Sequence, residues 1–307
     1  MVHQKSSGVA GAGSYALGER QIPRMGYGAM QLQRLVNDRS AAMEVLHRAV
    51  GLGVEHFDTA EFYGAGFVND IIRELRLEHP NILIATKVGA ASNPAGPIPI
   101  RPAQKPEELR ASVEENLRSL GVEQLDVVNL RRLDVAPGLS SEGDQIVGID
   151  DQLAEMLRMK DEGKIGGIGL SAVSLDNLKQ ALPAGIVCVQ NAYSLLSRRY
   201  QPLLELCEAE HIAWVPFFPL GGTYFPDWPK VTAHPKVIQI AARYRISPSQ
   251  LGLAWLLHHK RNVLLIPGTT SLAHLEENVA SASIILQQED IVELDALSCA
   301  HEEASHE

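Results

Sequence analysis

Four residues able to move or stabilise a proton stand at or just beyond the ends of short apolar runs. Asp58 closes "VEHFD", Lys87 closes "ILIATK", Arg131 follows "LDVVNL", and Tyr63 lies a few residues after Asp58 beside a glycine. A free tyrosine hydroxyl, with a pKa of about 10, is a poor acid at neutral pH. An ammonium beside it favours the phenolate and makes it a better proton donor. A carboxylate would hold that ammonium charged and in place. Asp58, Lys87 and Tyr63 thus fit delivery of a proton to an oxygen that is gaining charge. A structural ion pair plus a packing tyrosine would explain any of the three singly, but not why all stand at matching ends of their runs. Arg131 has two readings: a rim residue paired with Asp134, or a fixed cation within the site.

These ends converge only if the runs are parallel strands. The apolar runs are "RMGYGAM", "EHFDT", "ILIATK", "LDVVNL", "IGGIGLS", "IVCVQN", "AWVPFF" and "VLLIP". They alternate with helical patterns at 38–52, 67–77, 106–120, 150–162, 174–182, 201–210, 235–260 (broken near Pro248) and 271–280. "SPSQ" at 247–250 reads as a helix cap with proline in the first turn. Nearly continuous apolar strands suit a parallel sheet covered on both faces. Eight strand–helix units match an α/β fold of (β/α)8 barrel type, with a doubly wound sheet as the rival. The expectation is one domain over residues 15–300, with a helix at 288–298 outside the barrel and loose tails at 1–14 and 301–307. The long loops 92–106, 132–148 and 219–235 each follow a strand, on the C-terminal face where barrels build their sites.

Several functions are disfavoured. A net charge of −10 argues against nucleic acid, whose phosphates need a basic face. No apolar run reaches the roughly 20 residues that span a bilayer, and the first residues lack the apolar stretch of a secretory signal. Cys188, Cys207 and Cys299 are scattered, which suits a reducing cytoplasm. His301 and His306 have the wrong spacing for a zinc pair, so no metal is expected. His258 and His259 close a helix, where cations suit the carbonyl end of the dipole. "GIGLSA" at 167–172 matches a dinucleotide fingerprint, but its glycines lie inside a strand run rather than in the turn after it.

"HFDTAEFYG", "IATKVG", "VQNAYSLL", "PLGG" and "LLIPGTTSLAHLEENVAS" resemble, in this order, the aldo-keto reductase family. The resemblance covers roughly residues 20–280. It implies hydride transfer from NADPH, with NADH as second choice, to a small aldehyde or ketone. It also implies Tyr63 as general acid, Lys87 as its partner, Asp58 as anchor of the lysine, and Arg131 in the fourth catalytic place. For the cofactor it implies Gly28, Ala29, Met30 and Asp58 at the first strands, and Ser171 and Gln190 at the carboxamide. Phe217 would stack on the nicotinamide, followed by Pro219, Leu220 and Gly221. Gly268, Thr269, Thr270, His274, Glu277 and Asn278 would grip the adenosine phosphate at a helix N-terminus. Within the family, "RMGYGAMQL", "DVVNLR" and "VPFFPLGG" are most similar to bacterial pyridoxal reductases, so pyridoxal is the expected substrate. An NAD-dependent sugar or alcohol dehydrogenase and a nucleotide-sensing subunit with little turnover are the alternatives. Three positions depart from the family. Arg131 stands for its histidine, Ala172 for the asparagine of a Ser–Asn pair, and Gly268 and His274 for basic residues at the phosphate. The last change weakens the case for NADPH over NADH.

Overall fold

The computed structural model describes residues 8–96, 98–136, 138–222 and 228–297. The chain opens with a single 3-10 turn, Val9–Ala12, and an antiparallel hairpin of β1 (Ser14–Leu17) and β2 (Arg20–Pro23). Strand–helix alternation then begins: β3 (Tyr27–Gly28), α1 (Arg39–Gly51), β4 (His56–Asp58), α2 (Phe67–Glu78) and β5 (Leu83–Val88). A second hairpin, β6 (Ala90–Ser92) with β7 (Ile100–Pro102), precedes α3 (Pro106–Leu120) and β8 (Leu125–Arg131). There follow α4 (Ile149–Asp161), β9 (Ile165–Ser171), α5 (Leu175–Ala181), β10 (Ile186–Gln190), α6 (Gln201–Ala209) and β11 (Ala213–Trp214). The described chain ends in α7 (Pro235–Tyr244), α8 (Pro248–His259), α9 (Leu272–Ala280) and α10 (Gln288–Asp295).

The central sheet runs β11-β10-β9-β8-β5-β4-β3, all parallel. The run expected as an eighth strand makes only single parallel bridges, Trp214 to Val263 on one side and Met25 to Leu265 on the other. Those two bridges close the ring, and the architecture is the (β/α)8 barrel. Gly167 and Gly169 lie inside β9, which removes the dinucleotide-fingerprint reading of that segment. Helix edges follow the local chemistry. Ser247 Oγ accepts from the Gln250 amide (3.2 Å) and Gln250 Oε1 from the Ser247 amide (3.0 Å), with Pro248 in the first turn, a reciprocal cap.

Two cores result. Between strands and helices lies one large apolar layer that includes Phe57, Ile84, Val128, Ile168 and Trp255. Inside the barrel is a smaller cluster of Leu83, Ala85, Val127, Cys188, Ala213, Val215 and Leu264. Leu17 and Ile22 of the first hairpin complete it, so the hairpin plugs the N-terminal end of the barrel.

Three expectations need correction. Residues 8–14 are no tail: Val9 and Ala12 are buried, and the Val9 amide donates to Leu52 O at 3.2 Å. Two small apolar side chains are enough to anchor a short turn there, and composition alone misjudged them. Residues 1–7 and the C-terminal segment 298–307, with Cys299, His301 and His306, lie outside the described residues. The start of the loop 92–106 pairs with its end as the second hairpin, which its prolines had hidden. Finally, His259 is not a cation closing a helix. It stacks on Trp255 (4.5 Å between ring centroids) and Tyr193, and burial lowers its pKa to about 4.

Candidate active site

At the C-terminal mouth a cavity of about 280 Å³ is lined by side chains from almost every strand end. Parallel register aligns them: Gly28 faces Asp58, and Ser171 is flanked by Arg131 and Gln190. The charged groups on its wall are Asp58, Lys87 and Arg131. Lys87 Nζ binds Asp58 Oδ1, donates to Thr59 O at 3.0 Å, and lies 5.3 Å from the Tyr63 ring centroid. The Lys87 and Asp58 side chains are only 8% and 5% exposed. Burial by itself would lower the lysine pKa, but the Asp58 carboxylate and then the Tyr63 oxygen outweigh it. Lys87 is therefore held above the ordinary lysine range and stays an ammonium. The second Asp58 oxygen accepts from Gln190 Nε2 at 2.7 Å, so one carboxylate orients both neighbours.

Tyr63 owes its place to an unusual turn. Gly64, Ala65 and Gly66 follow with φ of 61°, 52° and 89°, a left-handed path that glycine adopts freely and alanine only under strain. The turn delivers Tyr63 to the cavity wall, its ring edge-on to Phe62 at 5.2 Å.

The fit of a nicotinamide cofactor rests on two observations. Gln190 Oε1 is buried without a hydrogen-bond partner, and a buried acceptor left unpaired is costly. A carboxamide N–H would satisfy it. Across the mouth, the backbones of Gly28 and Gly268 approach so closely that a Cβ on Gly268 would lie 2.3 Å from Gly28 O. That leaves a side-chain-free cradle against which a flat or anionic group can rest. Ser271 caps α9 beyond it by accepting from the His274 amide at 3.4 Å, and the helix N-terminus is a ready anion site.

Of the residues the family resemblance implied, Gly28, Met30, Asp58, Tyr63, Lys87, Arg131 and Ser171 line the cavity. So do Gln190, Phe217, Pro219, Leu220, Gly221, Gly268 and Asn278. Ala29 is buried behind its neighbours. Thr269, Thr270, His274 and Glu277 stand outside the cavity wall around the start of α9, with His274 and Glu277 exposed. The wall also contains Gln31, Gly138, Phe218, Ile266 and Pro267, which sequence reasoning did not single out. Ile266 and Pro267 directly precede Gly268 and could have been inferred from the strand end. Gly138 lies in a long loop with no pattern to mark it. Arg131 is not paired with Asp134: that acid binds Arg132 at 3.0 Å and caps the turn into α5 through the Ser174 amide. Ala172, in place of the family's asparagine, sits at φ 49°, a conformation asparagine tolerates better than alanine.

A lysine held charged by a carboxylate and set against a tyrosine thus stands at the mouth of a (β/α)8 barrel. The Aldo/keto reductase family model matches residues 24–298, and the chain belongs to that family of oxidoreductases. Pyridoxine 4-dehydrogenase of Escherichia coli (strain K12) is 39% identical over 292 residues, covering 93% of this chain and 98% of the relative. An uncharacterized oxidoreductase of Schizosaccharomyces pombe is 34% identical over 92% and 89% of the two chains. A solved aldo-keto reductase from Klebsiella pneumoniae, in complex with NADPH, shares the fold with a TM-score of 0.76 at 23% identity, covering 92% of this chain and 94% of that one. Among the described residues, no helix is long and apolar enough to cross a membrane, and no side-chain cluster could hold a metal ion.

Proposed function

We propose that this chain reduces a small aldehyde with NADPH, with pyridoxal to pyridoxine as the favoured reaction. The observation that carries the reading is the buried Asp58–Lys87 pair set against Tyr63 at the cavity wall. A relative 39% identical along nearly its whole length carries the name of that activity. When bound, the cofactor supplies a hydride. The chain's own residues do the rest. Tyr63 donates its hydroxyl proton to the carbonyl oxygen as that oxygen gains charge. Lys87 stabilises the phenolate left behind, and Asp58 keeps Lys87 charged and aimed. Such a positioned acid contributes about 100- to 10,000-fold. Gln190 Oε1 and Ser171 would hold the carboxamide, Phe217 the nicotinamide ring, and the 268–278 segment the adenosine phosphate. With Gly268 and His274 where the family resemblance leads one to expect basic residues, the preference for NADPH over NADH should be modest. Cys188 and Cys207 are buried free thiols, which fits a reducing, cytoplasmic setting.

The test is cofactor consumption with a panel of aldehydes and sugar alcohols. Pyridoxal turnover with NADPH, faster than with NADH, supports the proposal. Activity confined to sugar alcohols and NAD+ would replace it with a dehydrogenase. Tight NADPH binding with no turnover of any substrate would favour a nucleotide-sensing role.

A further inference from the structure

Arg131 is the charge in the cavity that the proton-transfer set does not use. Asp58 and Lys87 neutralise each other, so the charged lining of Asp58, Lys87 and Arg131 sums to one uncompensated positive charge. Arg131 is fixed at its base: its residue ends β8 in register with Ser171, and its carbonyl accepts from Gln104 Nε2 at 2.8 Å. Gly138 (φ 125°), in the loop that follows, comes close enough that a Cβ there would lie 3.2 Å from Nη2. Its Nε is buried without a partner. Among the described residues no carboxylate pairs with it, and the ionisable group that acts on it is Tyr63. A buried guanidinium N–H left unpaired is costly, and an anion would complete it.

The place of that anion follows from the ring of strands. In the closed ring β8 lies four strands from the 263–265 segment, on the opposite side of the mouth. The stretch that leads into α9 therefore faces Arg131 across the barrel. A cofactor phosphate held at the start of α9 would lie across the mouth from Arg131, which leaves its anion to the substrate. We propose that Arg131 is a specificity-determining anion anchor and that the substrate is an aldehyde bearing an ionised oxygen on the carbon next to the carbonyl-bearing one. That geometry lets one guanidinium hold the anion while the carbonyl oxygen remains beside Tyr63. Pyridoxal, whose ring hydroxyl neighbours its aldehyde, has this chemistry. The inference rests on the carbonyl reductase reading but adds the substrate feature that is selected.

The experiment compares 2-hydroxybenzaldehyde with benzaldehyde, using the full chain and NADPH at a pH above the phenol's own pKa. The wild type should favour the hydroxylated aldehyde in kcat/KM by roughly ten- to a hundredfold, the range of a charge-assisted hydrogen bond. Arg131→Met should bring the ratio close to one, and Arg131→Lys should retain part of it. Equal kcat/KM for the two aldehydes in the wild type overturns the inference and leaves the reductase reading standing. Should neither aldehyde be reduced, the reductase reading fails, and calorimetric titration of salicylate with and without NADP+ decides the anchor separately. Binding weakened at least tenfold by Arg131→Met supports the anchor. Equal affinity, or no binding to the wild type, rejects it. If Arg131→Met does not fold, the wild-type ratio and its partial loss in Arg131→Lys decide for or against the anchor in the same way.

Discussion

Two arginines at opposite ends of the barrel show how differently one side chain can be used. At the N-terminal end, Arg24 donates to the backbone carbonyls of Val263 (3.0 Å), Ala12 (3.3 Å), Leu257 (2.8 Å) and Lys260 (2.6 Å). It ties the opening turn, the last strand segment and the end of α8 into one knot, below the apolar plug of Leu17 and Ile22. Burial and then the neighbouring Arg261 lower its pKa to about 10, so it remains charged at neutral pH. At the C-terminal end, Arg131 is half-buried, and its buried Nε has no such partner. Leu133, Ala172 and Phe218, each shortly after a barrel strand, have φ of 60°, 49° and 54°, a strained region for these residue types. Strain and unpaired buried atoms also occur away from the mouth, at His211 and Asn262, so the contrast lies in the two arginines: one commits its donors to backbone carbonyls, and the other keeps a donor free beside the cavity.

The comparison breaks most sharply if the mouth proves to be structural. Tyr63→Phe should lower kcat about 100- to 10,000-fold while leaving the melting temperature and the dissociation constant for NADPH nearly unchanged, as single-turnover kinetics and fluorescence titration would show. A variant keeping more than a third of wild-type turnover, with chemistry limiting, would assign the proton to another group. The reverse result is expected at the other end. Arg24→Met strands several buried carbonyls and should cost about 3 kcal/mol in urea unfolding, with kcat of the folded fraction unaltered. A loss of activity without a loss of stability there would undo the contrast.

Acid should probe both ends. His56 lies in the barrel wall two residues before Asp58 on β4. Its ring nitrogens are both buried without partners, and burial, opposed by Asp58, brings its pKa down to about 4. His259 packs near the Arg24 knot, with its pKa also lowered to about 4. The folded protein favours the neutral ring in each case. Stability is thus full above the unfolded histidine pKa of about 6.5 and falls as pH drops towards 4, since the unfolded chain takes up the extra protons. Unfolding free energies measured at pH 7 and pH 5 should differ in that sense, and His259→Phe should remove part of the slope. The smallest effect is at Ala172. Replacement by glycine relieves a left-handed alanine and should raise stability by up to about 1 kcal/mol. A loss of stability would mean that the Ala172 methyl packing outweighs the strain.

Much of the fold was legible in the order of residues. The apolar runs and helical periodicities located the barrel elements to within a few residues, because a strand buried on both faces and a helix buried on one leave different patterns. Polar residues at strand ends announced the mouth, since a charge that interrupts an apolar run needs a reason. The plugging hairpin was missed because its strands are short and their burial depends on the barrel they close. The 90–102 hairpin was missed because its prolines resemble those of an open loop. His259 was read as a cation because its stacking partners, Tyr193 and Trp255, meet it only in the folded chain.

By itself the sequence determined the residue types of the site, the order of strands and helices, and the departures at Arg131, Ala172, Gly268 and His274. Only the tertiary structure decided which charges are paired. Asp58 could have served Lys87 or a neighbour on its own strand, and Asp134 could have served Arg131 or Arg132. Pairing depends on separations of a few ångströms, set by barrel closure for side chains distant in sequence and by the loop's own path for near neighbours. The path of the loop after β8 gave Asp134 to Arg132, and closure joined Asp58 to Lys87 and Gln190. Closure left Arg131 inside the cavity with its charge unanswered.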